Sequence, residues 1–332
     1  MATKQLRLII AVITLGYLLF GSNPASKALG SAKPAKLTIE LNRSLGIFNP
    51  MTDMAQGGIR EVMDPNFWTT LNPFLRRIKT EWVRIDHVFD TNYYEVVRKN
   101  SKNELIYNWE PLDQTLKEIL ASGAKPYLCL SYMPNFMSKT GSPYGPPNDY
   151  EQWQELCVEL VKHMMERWGL EGLYYEIWNE PDLPGFWKGT LDEYLELYKY
   201  AALAIRQADP TAEIGGPATS QTKWLQPFLS YVKAQALPLD FVSWHNYSFD
   251  VDSYSGYIDF VRKLCEELKL PVETELVYSE WNINFNASGD NDDFYNAAHS
   301  AAVLYAFHQK NNIKSLFFMP KDQFSRTELQ GQ

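Results

Sequence analysis

The sequence alternates between short strand-like runs and longer helix-like runs from residue 37 onward, and this alternation limits the possible folds more than any other feature. Runs rich in β-branched and aromatic residues predict strands, whereas apolar residues spaced three or four apart predict amphipathic helices. One strand is predicted within 37–48, and the others at 82–85, 126–131, 174–179, 213–217, 241–247, 276–281 and 315–319. Helices are predicted at 66–79, 112–121, 149–168, 191–208, 223–235, 254–270 and 292–310.

Eight predicted strands separated by seven helices indicate one α/β domain that spans residues 37–332. Alternation of this kind favours a parallel sheet with right-handed crossovers. Eight such units close naturally into a (β/α)8 TIM barrel, which commonly needs about 250 residues. Because only twelve residues follow Pro320, we expect the last helix of the barrel to be reduced or missing.

The first 28 residues have the pattern of an export signal. Lys4 and Arg7 give a basic start, an apolar run follows at 8–20, and Ser26-Lys27-Ala28 offers small residues at a cleavage position. The apolar run is short for a membrane span. We therefore expect 1–28 to be a signal peptide or an uncleaved N-terminal anchor, 29–36 to be a linker, and the protein to be secreted or periplasmic.

Composition and spacing argue against several classes of partner and cofactor. The net charge of −9 argues against nucleic acid. No cysteine and histidine cluster has the spacing of a metal site, and no phosphate-binding or dinucleotide-binding glycine motif is present. We expect no metal and no cofactor, and contact with a membrane only through the possible N-terminal anchor.

Two glutamates stand at the carboxyl ends of predicted strands. Glu180 follows the fourth strand in the sequence LYYEIWNEPDLPGFW, and Glu280 ends the seventh strand in YSEWN. Enzymes with this barrel carry their catalytic groups at such strand ends. Because the fourth and seventh strands lie almost opposite each other, we expect the two carboxyl groups to approach to about 5–5.5 Å, the separation used by retaining glycosidases.

A retaining glycosidase needs one protonated and one ionised carboxyl group at this separation. We assign Glu180 as the acid/base, which protonates the leaving oxygen, and Glu280 as the nucleophile. Either glutamate alone could be an ordinary solvated loop carboxylate. The catalytic interpretation rests on their joint placement, each beside a tryptophan and an asparagine.

These motifs resemble glycoside hydrolase family 39, the family of β-xylosidases and α-L-iduronidases in the Asn-Glu-Pro clan of barrel enzymes. The likeness includes NWEPLD at 108–113, LSYMP at 130–134, IGGPA at 214–218 and FVSWHNYS at 241–248, and covers most of residues 80–285. It implies a retaining O-glycoside hydrolase that forms a covalent glycosyl-enzyme intermediate. The implied substrate is an oligo- or polysaccharide, cleaved in a β-xylosidase-like reaction or as an extracellular polysaccharide.

The resemblance also implies roles for four further residues. Asn179 would bond the sugar 2-hydroxyl, and Arg84 would hold the nucleophile ionised and oriented. His245 and Tyr247 share one face of their strand. If that face is inward, Tyr247 can donate to Glu280 and His245 can bind a sugar hydroxyl. A structural ion pair for Arg84 and a core histidine at 245 are the alternatives.

The sequence departs from the family pattern at three places. The family often has a histidine two residues after the strand-two arginine, where this chain has Asp86 followed by His87; either could bind the first sugar. The eighth strand lacks the usual tryptophan, and the C-terminal β-sandwich common in the family is not expected.

Trp187 is expected to stack on a sugar ring, with loop packing as the alternative. A carbohydrate-binding pseudo-enzyme without turnover is the alternative function.

Overall fold

The computed structural model describes residues 51–58, 60–285, 294–310 and 313–320, and these form a closed barrel of parallel strands surrounded by helices. The barrel strands are β1 (Asp53–Ala55), β2 (Trp82–Ile85), β5 (Lys125–Leu130), β6 (Tyr174–Ile177), β7 (Glu213–Thr219), β8 (Phe241–Tyr247), β9 (Glu275–Asn282) and β10 (Ile313–Phe318). Their order around the barrel is β1, β10, β9, β8, β7, β6, β5 and β2. The predicted TIM barrel is confirmed.

The helices of the described residues lie between successive barrel strands. They are α1 (Pro65–Ile78), α2 (Glu110–Ala121), α3 (Tyr150–Trp168), α4 (Leu191–Ala208), α5 (Leu225–Ala234), α6 (Val251–Glu267) and α7 (Phe294–His308). Short 3-10 helices occur at Arg60–Met63, Asn135–Met137 and Thr222–Trp224. No helix in this part of the chain has the length and apolar character needed to cross a bilayer.

The first barrel strand lies later in the chain than the sequence analysis predicted. Asp53–Ala55 takes this place, pairing in parallel with β10 on one side and β2 on the other. A strand of three residues is too short to show a recognisable alternation of polar and apolar side chains. The segment 37–48 lies outside the described residues, as do the predicted signal 1–28, the linker 29–36 and the residues after 320.

An antiparallel hairpin between β2 and α2 was not predicted. Its strands β3 (Val97–Lys99) and β4 (Leu105–Tyr107) pair with each other and not with the barrel. Both strands are short, and β3 is mostly charged, so neither resembles a buried strand in the sequence.

The barrel interior is apolar at one level and polar at the next. A buried cluster drawn only from barrel strands consists of Ala55, Tyr127, Tyr174, Phe241, Val277, Leu316 and Phe318. Successive side chains on one face of a strand are two residues apart. Glu176 therefore follows Tyr174 on the inward face of β6, and its carboxylate is completely buried. The apolar cluster thus supports a polar layer nearer the carboxyl ends of the strands.

Candidate active site

Glu180 and Glu280 lie together at the carboxyl end of the barrel. Glu280 belongs to β9, and Glu180 follows β6. Both are buried, with 8% of Glu180 and 5% of Glu280 exposed. An oxygen of one carboxylate lies within 4.8 Å of an oxygen of the other. This approach agrees with the separation of roughly 5–5.5 Å between the carboxyl groups of a retaining pair.

The backbone turns sharply after β6 to bring Glu180 over the barrel mouth. Trp178 and Glu180 have φ values of 75° and 47°, in the left-handed region that residues other than glycine seldom adopt. Each such residue costs about 1–3 kcal/mol and persists only where the surroundings fix it. The Glu180 amide donates to the carbonyl of Ala218 at 2.9 Å, and the Trp178 indole donates to the carbonyl of Phe186 at 3.1 Å.

Arg84 on β2 connects three groups of the site. Its Nη1 donates to Glu280 at 2.8 Å, its Nη2 donates to Asn179 at 2.8 Å, and its Nε donates to Glu176 at 2.6 Å. Only 1% of the arginine is exposed. Buried carboxylates are stable only when paired, and a guanidinium offers donors in fixed directions. Arg84 therefore holds the orientation of the Glu280 carboxylate, and it also forms the buried ion pair named as the structural alternative.

His245 and Tyr247 of β8 both reach the carboxylate pair. Tyr247 donates its hydroxyl to Glu280. His245 Nδ1 lies 2.9 Å from Glu180 Oε1 and 3.5 Å from Glu280 Oε2. The pairing of β8 with β9 shifts register between Trp244 and His245, directly before the two side chains turn inward. Nε2 of His245 is buried and has no hydrogen-bond partner among the described residues.

The pKa values of His245 and Glu280 are shifted because the two side chains lie close together. Burial raises the pKa of Glu280 above its ordinary value, and the positive charges of His245 and Arg84 oppose this rise. Burial alone would lower the pKa of His245, but the Glu280 charge and the hydrogen bond with Glu180 outweigh it, so the pKa of His245 is raised. The two carboxylates thus shift His245 toward its protonated form.

Asn179 is held at the mouth of the barrel by two partners. Its side-chain oxygen accepts from Arg84, and its amide nitrogen donates to the hydroxyl of Tyr132 at 2.8 Å. Only 4% of Asn179 is exposed. The amide orientation is therefore fixed next to the acid/base candidate Glu180, in the position expected for a group that contacts substrate.

Asp86 and His87 lie beside this site, at the carboxyl end of β2. Asp86 Oδ1 accepts from the backbone amide of Gly58 at 3.0 Å, and Asp86 Oδ2 lies 3.8 Å from His87 Nε2. The other nitrogen of His87, Nδ1, lies 2.9 Å from Asp90. The His87 ring also stacks on Tyr93, with ring centroids 3.9 Å apart. His87 is therefore occupied by protein partners on one side, whereas Asp86 Oδ2 has no hydrogen-bond donor among the described residues.

Trp187 does not form the sugar platform expected for it. Its ring is 3% exposed and packs edge-on against Trp178 with centroids 4.9 Å apart. Its indole nitrogen donates to the carbonyl of Thr190 at 2.9 Å. Trp187 therefore packs within its loop, as in the alternative named in the sequence analysis. Phe186, the preceding residue, remains partly exposed and stacks parallel to Tyr132 at 6.1 Å.

Three residues of the site were missed in the sequence. Glu176 binds Arg84, Tyr127 donates to Glu176 at 3.2 Å, and Tyr132 binds Asn179. A signal for Glu176 was present, since a single charged residue inside an aromatic strand must find a buried partner. Burial raises the pKa of Glu176, but the positive charges of Arg84 and His245 outweigh it and the net shift is downward, so this carboxylate stays ionised.

Glu180, His245 and Glu280 are the single group of three potential metal ligands found in the described residues. The guanidinium of Arg84 is already bound to Glu280 and places a fixed positive charge beside this group. Like charges at such distances repel strongly in a buried site. The arrangement is therefore better suited to proton transfer and nucleophilic attack than to holding a cation.

The chain is similar to several known glycoside hydrolases. A β-xylosidase from Caldicellulosiruptor saccharolyticus is 29% identical over 296 residues, which is 82% of this chain and 60% of that protein. A β-xylosidase from Geobacillus stearothermophilus is 32% identical over 172 residues, 48% of this chain and 34% of that protein. The crystal structure of a monomeric β-xylosidase from Caulobacter crescentus superposes with a TM-score of 0.74 and 25% identity, covering 84% of this chain and 62% of that one.

The chain thus spans about 60% of the length of the first of these relatives. Residues 35–312, which include every strand and helix of the described barrel except β10, match the profile described as Glycosyl hydrolases family 39. The matched region contains both strand-end glutamates and all their hydrogen-bond partners. The chain belongs to family 39 of the glycosyl hydrolases.

Proposed function

We propose that this chain is a retaining O-glycoside hydrolase in which Glu280 is the nucleophile and Glu180 the acid/base. The observation that carries the proposal is the approach of the two carboxylates to within 4.8 Å at the carboxyl end of the barrel. A retaining pair needs this short separation, because an inverting pair must leave room for a water molecule between the sugar and the base.

The contacts of the two glutamates favour this division of roles. Glu280 accepts from Arg84 and from Tyr247, and both donors stabilise its ionised form. Glu180 has neither of these donors and lies next to His245, a group that can exchange a proton with it. The ionised partner is suited to attack the anomeric carbon, and the other is suited to donate a proton.

The proposed reaction has two steps, formation and hydrolysis of a covalent glycosyl-enzyme intermediate. In the first, a Glu280 oxygen bonds to the anomeric carbon while the glycosidic C–O bond breaks, and Glu180 gives its proton to the departing oxygen. In the second, Glu180 takes a proton from water, and the resulting hydroxide oxygen bonds to the anomeric carbon and releases Glu280. Asn179 is placed to bond the sugar 2-hydroxyl.

We also propose that the substrate is a β-linked glycoside and that the protein is exported. Two relatives are β-xylosidases, which supports a β-linked glycoside as substrate, either a short xyloside or an extracellular polysaccharide. The basic start and apolar run in residues 1–28 support an exported protein, secreted or periplasmic.

The test uses carboxylate-to-amide substitutions assayed on aryl glycosides. Glu280→Gln is expected to abolish turnover of every substrate. Glu180→Gln is expected to impair glycosides with poor leaving groups far more than activated ones, because a good leaving group does not need the acid. Glu275→Gln is the matched control, since it makes the same change at the opposite end of β9.

Labelling with a 2-deoxy-2-fluoro glycoside identifies the nucleophile directly. The fluorinated sugar is expected to remain bound to Glu280 and to be located there by peptide mass spectrometry. Full activity of Glu280→Gln, or label on another residue, would reject the assignment. Saccharide binding without turnover by the unaltered protein would favour the pseudo-enzyme.

A further inference from the structure

Carboxylates outnumber basic groups at the sugar-binding end of the site. Four carboxylates lie there among the described residues, namely Asp86, Glu176, Glu180 and Glu280. The basic groups beside them are Arg84, His245 and His87, and each already lies against a carboxylate. Arg84 binds Glu176 and Glu280, and His245 lies between Glu180 and Glu280.

Asp86 is the carboxylate of this group whose basic partner in the described residues is a histidine at the outer limit of an ion pair. It is 6% exposed, and its Oδ1 is anchored by the Gly58 amide. The nearest basic group to its Oδ2 is His87 Nε2 at 3.8 Å, and His87 is itself bound to Asp90. A buried carboxylate with only a distant histidine partner keeps much of its negative field, because little water screens it.

The position of Asp86 places this field next to the groups that contact substrate. Asp86 follows Arg84 by two residues at the end of β2, and its neighbour His87 meets Tyr132 edge-on with centroids 4.7 Å apart. Tyr132 in turn binds Asn179. Burial is the main cause that raises the pKa of Tyr132, and the negative charge of Asp86 adds to it.

We propose that Asp86 makes this site select neutral glycosides and reject glycosides that carry a carboxylate. The inference rests on the proposed hydrolase function and defines its substrate class. A neutral sugar can donate hydroxyl hydrogens to the free oxygen of Asp86. A uronic acid would bring a further negative charge beside Asp86, where the basic groups Arg84, His245 and His87 already lie against carboxylates.

Three aryl β-glycosides distinguish the effect of a charge at C5 of the sugar from the effect of the size of the C5 group. A xyloside has only hydrogen at C5, a glucoside adds a neutral hydroxymethyl group there, and a glucuronide adds a carboxylate of similar size. We expect kcat/KM for the glucuronide to fall below that for the glucoside by about tenfold or more, as for like charges a few ångströms apart near a protein surface. Asp86→Asn should raise the glucuronide-to-glucoside ratio of kcat/KM by a similar factor.

Asp259→Asn is the matched control, because it removes one exposed carboxylate on α6, outside the site. It should leave the glucuronide-to-glucoside ratio unchanged. If the glucoside and glucuronide are rejected equally, or if Asp86→Asn leaves their ratio unchanged, charge at residue 86 does not select the substrate. Comparable turnover of all three glycosides by the unaltered enzyme would overturn the inference and leave the hydrolase function intact.

Absence of turnover for every glycoside would instead count against the proposed function. In that case, binding measurements test the selectivity for neutral sugars independently of catalysis. Methyl β-glucoside and methyl β-glucuronide are titrated against the unaltered protein and Asp86→Asn, with ligand NMR signals as the readout. Preference for the glucoside that weakens in Asp86→Asn supports the inference, and any other result rejects it.

Discussion

Arg84 Nη1 lies 2.8 Å from Glu280 Oε1, although 196 residues separate the two in the chain. The barrel brings them together because β2 and β9 both direct side chains into its interior at the same end. The same guanidinium also binds Glu176, which lies on β6. One cation on β2 therefore fixes groups from two other strands, and its loss should affect both folding and catalysis.

Replacing Arg84 with methionine should lower the free energy of unfolding by about 3–5 kcal/mol, since two buried carboxylates lose their cation. Urea unfolding measures this change. Arg77→Met, at an exposed position of α1, should change stability by no more than about 0.5 kcal/mol. Equal stability of the two variants would show that Glu176 and Glu280 do not depend on Arg84.

Tyr247→Phe removes one donor to Glu280 and should lower kcat/KM by about a hundredfold, as for other donors aimed at a reacting charge. Loss of a hydrogen bond to the ionised carboxylate also raises the pKa of Glu280. The acid limb of the pH profile should therefore move to higher pH. Tyr198→Phe, whose hydroxyl bonds the Pro238 carbonyl outside the site, should preserve the profile; an unmoved acid limb in Tyr247→Phe would contradict the assignment.

His245 should titrate above its ordinary value of 6.5, because Glu280 and Glu180 favour its charged form. The stability that this proton contributes is full below that value and is lost as pH rises through the raised pKa. NMR titration of the imidazole signals, with His245→Gln to assign them, measures the pKa. Glu280→Gln should lower the pKa of His245. A titration below 6.5 in the unaltered protein would disprove the prediction.

Trp187 and Phe186 should respond to substitution in opposite ways. Trp187→Ala empties a buried site and should cost about 3–5 kcal/mol of unfolding free energy. Phe186→Ala, at a partly exposed ring beside Tyr132, should instead raise KM with a smaller loss of stability. Thermal unfolding and steady-state kinetics on both variants check this, and a stable Trp187→Ala with a raised KM would restore the platform role.

The parts of the fold that were predictable from sequence were those with a strong local pattern. The strand before Glu180 is rich in aromatic and β-branched residues, and α4 opens at a capping box formed by Thr190 and Glu193. β1 has no such pattern, because its three residues are specified by pairing with β10 and β2. Local sequence cannot report a strand that neighbouring strands define.

The site residues that could be predicted from sequence were those of a characteristic type at the end of a predicted strand. Glu180, Glu280, Arg84 and Asn179 each stand at a strand end, and the structure brings them together. The link from Tyr132 to Asn179 was not predictable, because it joins two loops after different strands. The burial of Trp187 depends on how its loop folds back onto Trp178 and Tyr194, and residue types alone do not specify that loop conformation.

Gly57 leaves space that Asp86 fills, since a side chain at residue 57 would begin 2.1 Å from Asp86 Oδ1. The two positions therefore form a unit that must be redesigned together. A larger residue at 57 would displace the carboxylate, and a histidine introduced at 86 would meet a pocket shaped for a shorter acid. Efforts to convert this enzyme to charged sugars should thus vary both positions in one library.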